Sequence, residues 1–120
     1  MKDNIESHRQ PTDEKRMTPE DAQSSGERHV ISDLASKGYY CLRNKRSPVY
    51  TGIEAIKGTK VTLGHVKTAV HPAAPDSLST EETARIKNRA SRMGWDAWLA
   101  QVQIDDFGLM LGSITYTRLA

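Results

Sequence analysis

The stretch VYTGIEAIKGTKVTLGHV, residues 49–66, decides the fold. Every second residue in each half faces the same side of an extended chain, namely Val49, Thr51, Ile53 and Ala55, then Val61, Leu63 and His65. Between the halves, Lys57 and Gly58 provide a tight turn. The alternation and the glycine together predict a β-hairpin.

A helix-turn-helix around Gly58 is the alternative for this region, because Leu63, Val66 and Val70 also follow helical spacing. Three glycines at six-residue intervals argue against it. They are Gly52, Gly58 and Gly64. Each would destabilise a helix by roughly 1 kcal/mol relative to alanine, so the hairpin is preferred.

Upstream of the hairpin, the segment ERHVISDLASKG (residues 27–38) predicts a short amphipathic helix that ends at Gly38. Its apolar face consists of Val30, Ile31, Leu34 and Ala35. The following YYCLRN (residues 39–44) is rich in aromatic and β-favouring side chains and predicts a strand.

Downstream, Ser79 and Glu82 form a capping-box pattern that predicts the start of a helix ending near Gly94. The next segment, WDAWLAQVQI (residues 95–104), has apolar residues at the spacing of a second helix. These are Trp95, Trp98, Leu99 and Val102. Residues 108–120 are rich in β-formers and predict a terminal strand.

The expected fold class is therefore α+β: a small antiparallel sheet of about four strands packed on two to three helices. Residues 1–26 are expected to form a disordered acidic arm, and residues 27–120 the single α+β domain. Only three apolar side chains, Ile5, Met17 and Ala22, follow Met1 in this arm. Thr18 and Pro19 resemble a helix start, but no apolar stripe follows them.

Composition narrows the class of protein. The chain has 120 residues and one cysteine, Cys41, which cannot form an internal disulfide. No stretch approaches the roughly 20 apolar residues that cross a bilayer, so we expect a cytoplasmic protein without a membrane partner. No metal or other cofactor site is predicted.

Charge is unevenly distributed along the chain. The net charge is +2, but residues 1–27 carry seven acids and four bases, which leaves residues 28–120 with +5. An acidic arm could then compete with an anionic partner for the basic body. The alternative is that the arm's charge serves only to solvate it.

The strongest candidate binding surface is a row of arginines along the predicted capped helix. Arg85, Arg89 and Arg92 lie at i, i+4 and i+7, and guanidinium groups suit phosphates or carboxylates. The row predicts contact with nucleic acid or with an acidic protein surface. A solvated helix face, with the arginines pairing with nearby acids, is the alternative.

A second basic cluster, Arg43, Lys45 and Arg46, follows the first strand, and Tyr40 precedes it. Bases can stack on such aromatics while the cations hold phosphates. Trp95 and Trp98 are candidate interface residues, with a role in the core as the alternative.

Catalytic signals are sparse. Glu54 and Lys57 lack the spacing expected of a metal-dependent nuclease strand, and no phosphate loop or nucleophile elbow occurs. An enzyme using His65 or His71 with Asp105 or Asp106 is the weakest alternative. These four residues have no recognisable spacing.

The sequence-based prediction is a non-enzymatic accessory or regulatory protein that binds nucleic acid through the basic helix face. The alternative is a protein-interaction module, either a homodimer or an inhibitor that docks on a larger partner, of the kind encoded by bacterial mobile elements.

Overall fold

A computed structural model describes residues 17–44 and 52–120. The described elements are α1 (Pro19–Ser36), β1 (Tyr40–Asn44), β2 (Gly52–Lys57), β3 (Lys60–Val70), α2 (Thr80–Met93), β4 (Asp96–Ile104) and β5 (Met110–Arg118). The strands form one sheet in the order β1-β2-β3-β4-β5.

The sheet is mixed. Neighbouring strands are antiparallel except β3 and β4, which are parallel and connected through α2. The α+β class is therefore confirmed. The expected all-antiparallel sheet of about four strands is corrected to five mixed strands, and the described residues form two helices.

The hairpin prediction is confirmed and the helix-turn-helix alternative is wrong. Gly52 lies opposite His65 and Lys57 lies opposite Lys60, so the turn is centred on Gly58. Gly58 has φ +65°, which favours glycine at this turn. Residues 49–51 of the predicted hairpin lie outside the described residues.

The predicted capped helix is also confirmed as α2. The Ser79 hydroxyl accepts from Glu82 N at 3.0 Å, and the Glu82 carboxylate accepts from Ser79 N at 2.9 Å. Gly94 ends the helix with φ +72°. Capping at both ends therefore fixes the bounds of α2.

The predicted helix at residues 95–104 is wrong, because this segment forms β4. β4 lies between β3 and β5, and its two faces contribute to the cores under α1 and α2. Its buried side chains include Leu99 and Ala100, which are adjacent and point to opposite faces. Apolar residues on both faces produced a spacing that imitates a helical stripe.

The expected boundary of the N-terminal arm is corrected. α1 begins at Pro19 with Thr18 as its N-cap, eight residues before the predicted helix start at residue 27. Ala22, Ser25 and Gly26 are buried in this first part of α1. The rest of the predicted disordered arm, residues 1–16, lies outside the described residues.

The two helices cover opposite faces of the sheet. The larger core lies under α1 and includes Val30, Leu34, Ile53 and Val66. The smaller core lies under α2 and consists of Leu63, Ile86, Ala90 and Ala97. No helix in the described part of the chain is long and apolar enough to cross a bilayer.

Candidate functional site

Two polar side chains of β3 share the sheet face under α2. His65 and Lys67 are two residues apart on the strand, so they point to the same side as Leu63. His65 lies between Gly52 of β2 and Leu99 of β4 and is 7% exposed. The imidazole is therefore held in an enclosed position within the sheet.

Glu82 connects this face to the start of α2. One carboxylate oxygen accepts from Ser79 N, and the other accepts from Lys67 Nζ at 3.1 Å. The hydrogen bond from the Ser79 backbone, assisted by Lys67, lowers the pKa of Glu82. The carboxylate is thus charged at neutral pH and neutralises part of the charge of Lys67.

Burial lowers the pKa of His65 below its ordinary value of 6.5, and the charge of Lys67 lowers it further. The charge of Glu82 opposes this shift but is the smallest of the three causes. His65 is therefore mainly neutral at pH 7, and its imidazole takes up a proton less readily than a solvent-exposed histidine does.

The arginine row has two exposed members and one anchored member. Arg85 and Arg92 are exposed, whereas Arg89 is half-buried, with Nη2 4.0 Å from Glu54 Oε2 on β2. α2 packs over β3 and β4 through the smaller core, and Arg89 extends from it toward Glu54 on β2. Arg85 is exposed on α2, one turn after Glu82.

The second basic cluster is only partly described. Arg43 is half-buried and contacts α1, with Nε 3.5 Å from Glu27 Oε1 and Nη2 donating to Ser24 O at 3.3 Å. Tyr40 is 65% exposed on β1. Lys45 and Arg46 lie outside the described residues. Arg43, the described cation of the cluster, contacts α1 and therefore lies on the face of the sheet opposite α2 and the arginine row.

The two tryptophans lie on opposite faces of the sheet. Trp95 packs against the smaller core under α2, and Trp98 packs against the larger core under α1. Both are half-buried. They contribute to packing, and Trp98 keeps part of its ring accessible.

Of the two histidines in the weakest enzyme alternative, only His71 lies beside the acids. His71 N donates to Ile104 O at 2.8 Å, next to Asp105, whereas His65 lies opposite Leu99, further back along β4. The Asp105 carboxylate accepts from Phe107 N and Leu109 N at 2.8 and 2.9 Å and so closes the turn between β4 and β5. Within residues 17–44 and 52–120, no group of three or more histidine, cysteine or acidic residues could hold a metal ion.

Lys67 and its partner Glu82 were not proposed as site residues from the sequence. The available signal was the spacing His65-x-Lys67 in a predicted strand, which places both side chains on one face. The contribution of Glu82 depends on how α2 packs on the sheet, and a linear pattern does not contain that information.

No protein-family model matches the sequence, and no curated protein matches it closely enough to be a relative. Among solved structures, the chain is similar to Hjc, a Holliday junction resolvase from the hyperthermophilic archaeon Archaeoglobus fulgidus. The TM-score is 0.60 at 18% sequence identity, and the match covers 81% of this chain and 72% of that chain.

This similarity overturns the sequence-based prediction of a non-enzymatic accessory protein. That prediction relied on the lack of a recognisable catalytic motif, whereas the fold of the chain is shared with an enzyme. The order of helices and strands described above is therefore similar to the fold of Hjc.

Proposed function

We propose that the chain is an enzyme that acts on branched DNA and breaks phosphodiester bonds. The fold shared with a Holliday junction resolvase carries this proposal, because resolving a junction requires cutting its strands. The sheet face under α2 is the proposed site of action.

The charges around α2 suit a DNA backbone. Arg85 and Arg92 are exposed on α2, the helix that covers the sheet face carrying His65 and Lys67. Guanidinium groups donate two parallel hydrogen bonds to a phosphate and release counterions on binding. The arginine row would thus hold a DNA strand on the side of the sheet that α2 covers.

The described residues offer a proton acceptor and a cation. Neutral His65 can take a proton from an attacking water, and Lys67 can stabilise negative charge on the phosphate if it turns away from Glu82. His65 lies opposite Gly52, the first residue of β2, so the proposed reaction would occur near the first residues of β2 that the structure describes.

Divalent metal ions commonly assist the hydrolysis of phosphodiesters. The described residues do not fit a ready-made site of this kind, since they contain no cluster of three potential ligands. We therefore assign no step to a metal. The proposed chemical roles belong to His65 and Lys67, and the arginine row is proposed to bind the DNA backbone.

The proposal is tested by incubating the full chain with end-labelled DNA of three shapes: a four-way junction, a flap and a linear duplex. Each is run with Mg²⁺, with Mn²⁺ and with a chelator. We expect strand cleavage that favours the branched substrates. Binding without cleavage under all these conditions would contradict the enzymatic assignment, and equal cleavage of the linear duplex would contradict the preference for branches.

A further inference from the structure

A pocket on the α1 face of the sheet lies away from the proposed site of action. Its volume is about 330 Å³, and it lies between the end of α1 and strands β4 and β5. The lining residues are Leu34, Lys37, Tyr39, Trp98, Tyr116 and Arg118. Small-molecule sites typically span about 300–1,000 Å³, so the pocket can hold a compact ligand.

The aromatic walls of the pocket are fixed before any ligand arrives. The rings of Trp98 and Tyr116 meet edge to face at 88°, with centroids 5.2 Å apart. Trp98 lies directly over Gly64, where a Cβ atom would be 2.8 Å from its ring. The Tyr116 hydroxyl donates to Asp33 Oδ2 at 2.6 Å, which holds the second ring.

Cations surround these walls. Lys37 Nζ lies 5.1 Å from the centroid of the Tyr116 ring, and Lys57 Nζ lies 5.2 Å from that of Tyr39. Arg118 is 71% exposed, with Nη2 3.4 Å from an oxygen of Asp96. Lys37 is likewise more than half exposed while paired with Asp33, so both cations can reach an incoming anion by turning away from their carboxylate partners.

Flat apolar walls with a cationic rim suit a ligand that combines an aromatic ring with negative charge. We propose that this pocket binds a nucleotide, with the base against Trp98 and Tyr116 and the phosphate near Lys37 and Arg118. Aromatic stacking of bases beside basic residues is the usual way to bind unpaired nucleotides. A purely aliphatic ligand would leave the rim unused.

Two sources can supply this chemistry: a free mononucleotide, or an unpaired nucleotide in a DNA strand. The inference does not depend on the proposed enzymatic activity, because His65 and Lys67 lie on the opposite face of the sheet. A His65→Ala variant should therefore keep the binding described here, even if it loses cleavage.

The test is calorimetric titration of the full chain, with Trp fluorescence as a second readout. The probes are adenosine monophosphate, adenosine, ribose 5-phosphate, a duplex with one unpaired adenine and the matching perfect duplex. We expect adenosine monophosphate to bind more tightly than adenosine or ribose 5-phosphate. That order of affinities would identify the ligand as a free nucleotide. Binding only of the duplex with the unpaired base would also support the pocket and would assign it to a strand.

The matched variants are the double substitution Lys37→Ala with Arg118→Ala, and Lys87→Ala on the exposed side of α2 as control. Loss of two exposed cation contacts should weaken nucleotide binding about fivefold, while Lys87→Ala leaves it unchanged. A thermal melt confirms that each variant is folded. Failure of all nucleotide probes to bind, or equal affinity in the double variant, would overturn the proposal.

Discussion

Gly26 of α1 lies directly against Thr68 of β3, so closely that a Cβ atom on Gly26 would overlap the Thr68 side chain. The Thr68 hydroxyl is buried there with no hydrogen-bond partner among the described residues. The helix can approach the sheet at this point because Gly26 has no side chain.

Gly26→Ala should therefore lower the free energy of unfolding by about 1–3 kcal/mol, the usual effect of overpacking. Thr68→Ala alone should cost less than about 1 kcal/mol, because it also removes an unsatisfied buried hydroxyl. The double variant should be more stable than the two single effects added together predict, as urea unfolding would show. Additive changes in the free energy of unfolding would show that steric contact between Gly26 and Thr68 does not couple the two positions.

Two truncations distinguish residues 1–16 of the expected arm from residues 17–26, which include the start of α1. Deleting residues 1–16, in which Ile5 is the only apolar residue after Met1, should leave the thermal midpoint nearly unchanged. Deleting residues 1–26 should lower it by several degrees, because Ala22 and Ser25 are lost from the core. Equal midpoints for the two truncations would show that the first turns of α1 do not contribute to stability.

Ending the arm at residue 16 instead of residue 26 also changes its net charge. Residues 1–16 contain four acids and four bases, so they have no net charge. The acidic excess lies in α1, at Glu20, Asp21 and Glu27. Deleting residues 1–16 should thus leave the affinity for a DNA duplex within about twofold at physiological salt, where the Debye length is about 8 Å. A large gain in affinity would show that residues 1–16 compete with DNA for the basic surface.

Stability should decrease as the pH falls below 6.5, the ordinary pKa of histidine. Burial lowers the pKa of His65 in the folded state, so the unfolded chain takes up this proton first and is favoured in acid. His65→Leu should flatten the slope between pH 6.5 and 5, measured by urea unfolding at several pH values. The exposed His71→Leu is the control, and an unchanged slope in His65→Leu would exclude His65 as its source.

The arginine row should account for much of the DNA binding. Arg85→Glu and Arg92→Glu should each weaken binding to any DNA sequence. Each should also reduce the slope of the binding constant against salt concentration, on logarithmic axes, by the amount expected for about one phosphate contact. Lys87→Glu, on the other side of α2, should have the smaller effect. Arg89 is excluded from this comparison because it also contacts Glu54. Equal effects at positions 85 and 87 would indicate a general charge effect without a defined surface.

The hairpin and α2 could be predicted because each carries a local signal: alternation with a turn at Gly58, and the Ser79–Glu82 capping box. β4 could not, since an inner strand that is apolar on both faces has no distinctive period. The start of α1 was missed for another reason. It packs through the small residues Ala22, Ser25 and Gly26. Small residues do not produce the stripe of large apolar side chains that indicates an amphipathic helix.

The candidate site was partly visible in the sequence. The arginine row was found because its spacing is local to one helix. The His65–Lys67–Glu82 arrangement needed the packing of α2 on β3, which connects residues 15 positions apart. The pocket at Trp98 and Tyr116 forms where β4 and β5 pair beside the end of α1. Its lining residues come from widely separated parts of the sequence, so no local pattern predicts that they meet.

The most direct test of the central claim is cleavage of a labelled four-way junction under single-turnover conditions by the full chain, by His65→Ala and by His71→Ala. The account predicts cleavage by the full chain and by His71→Ala, with a loss of about a hundredfold or more for His65→Ala, as expected for a lost general base. Junction binding should persist in all three. Undiminished cleavage by His65→Ala would remove His65 from the reaction, and no cleavage by the full chain would contradict the claim itself.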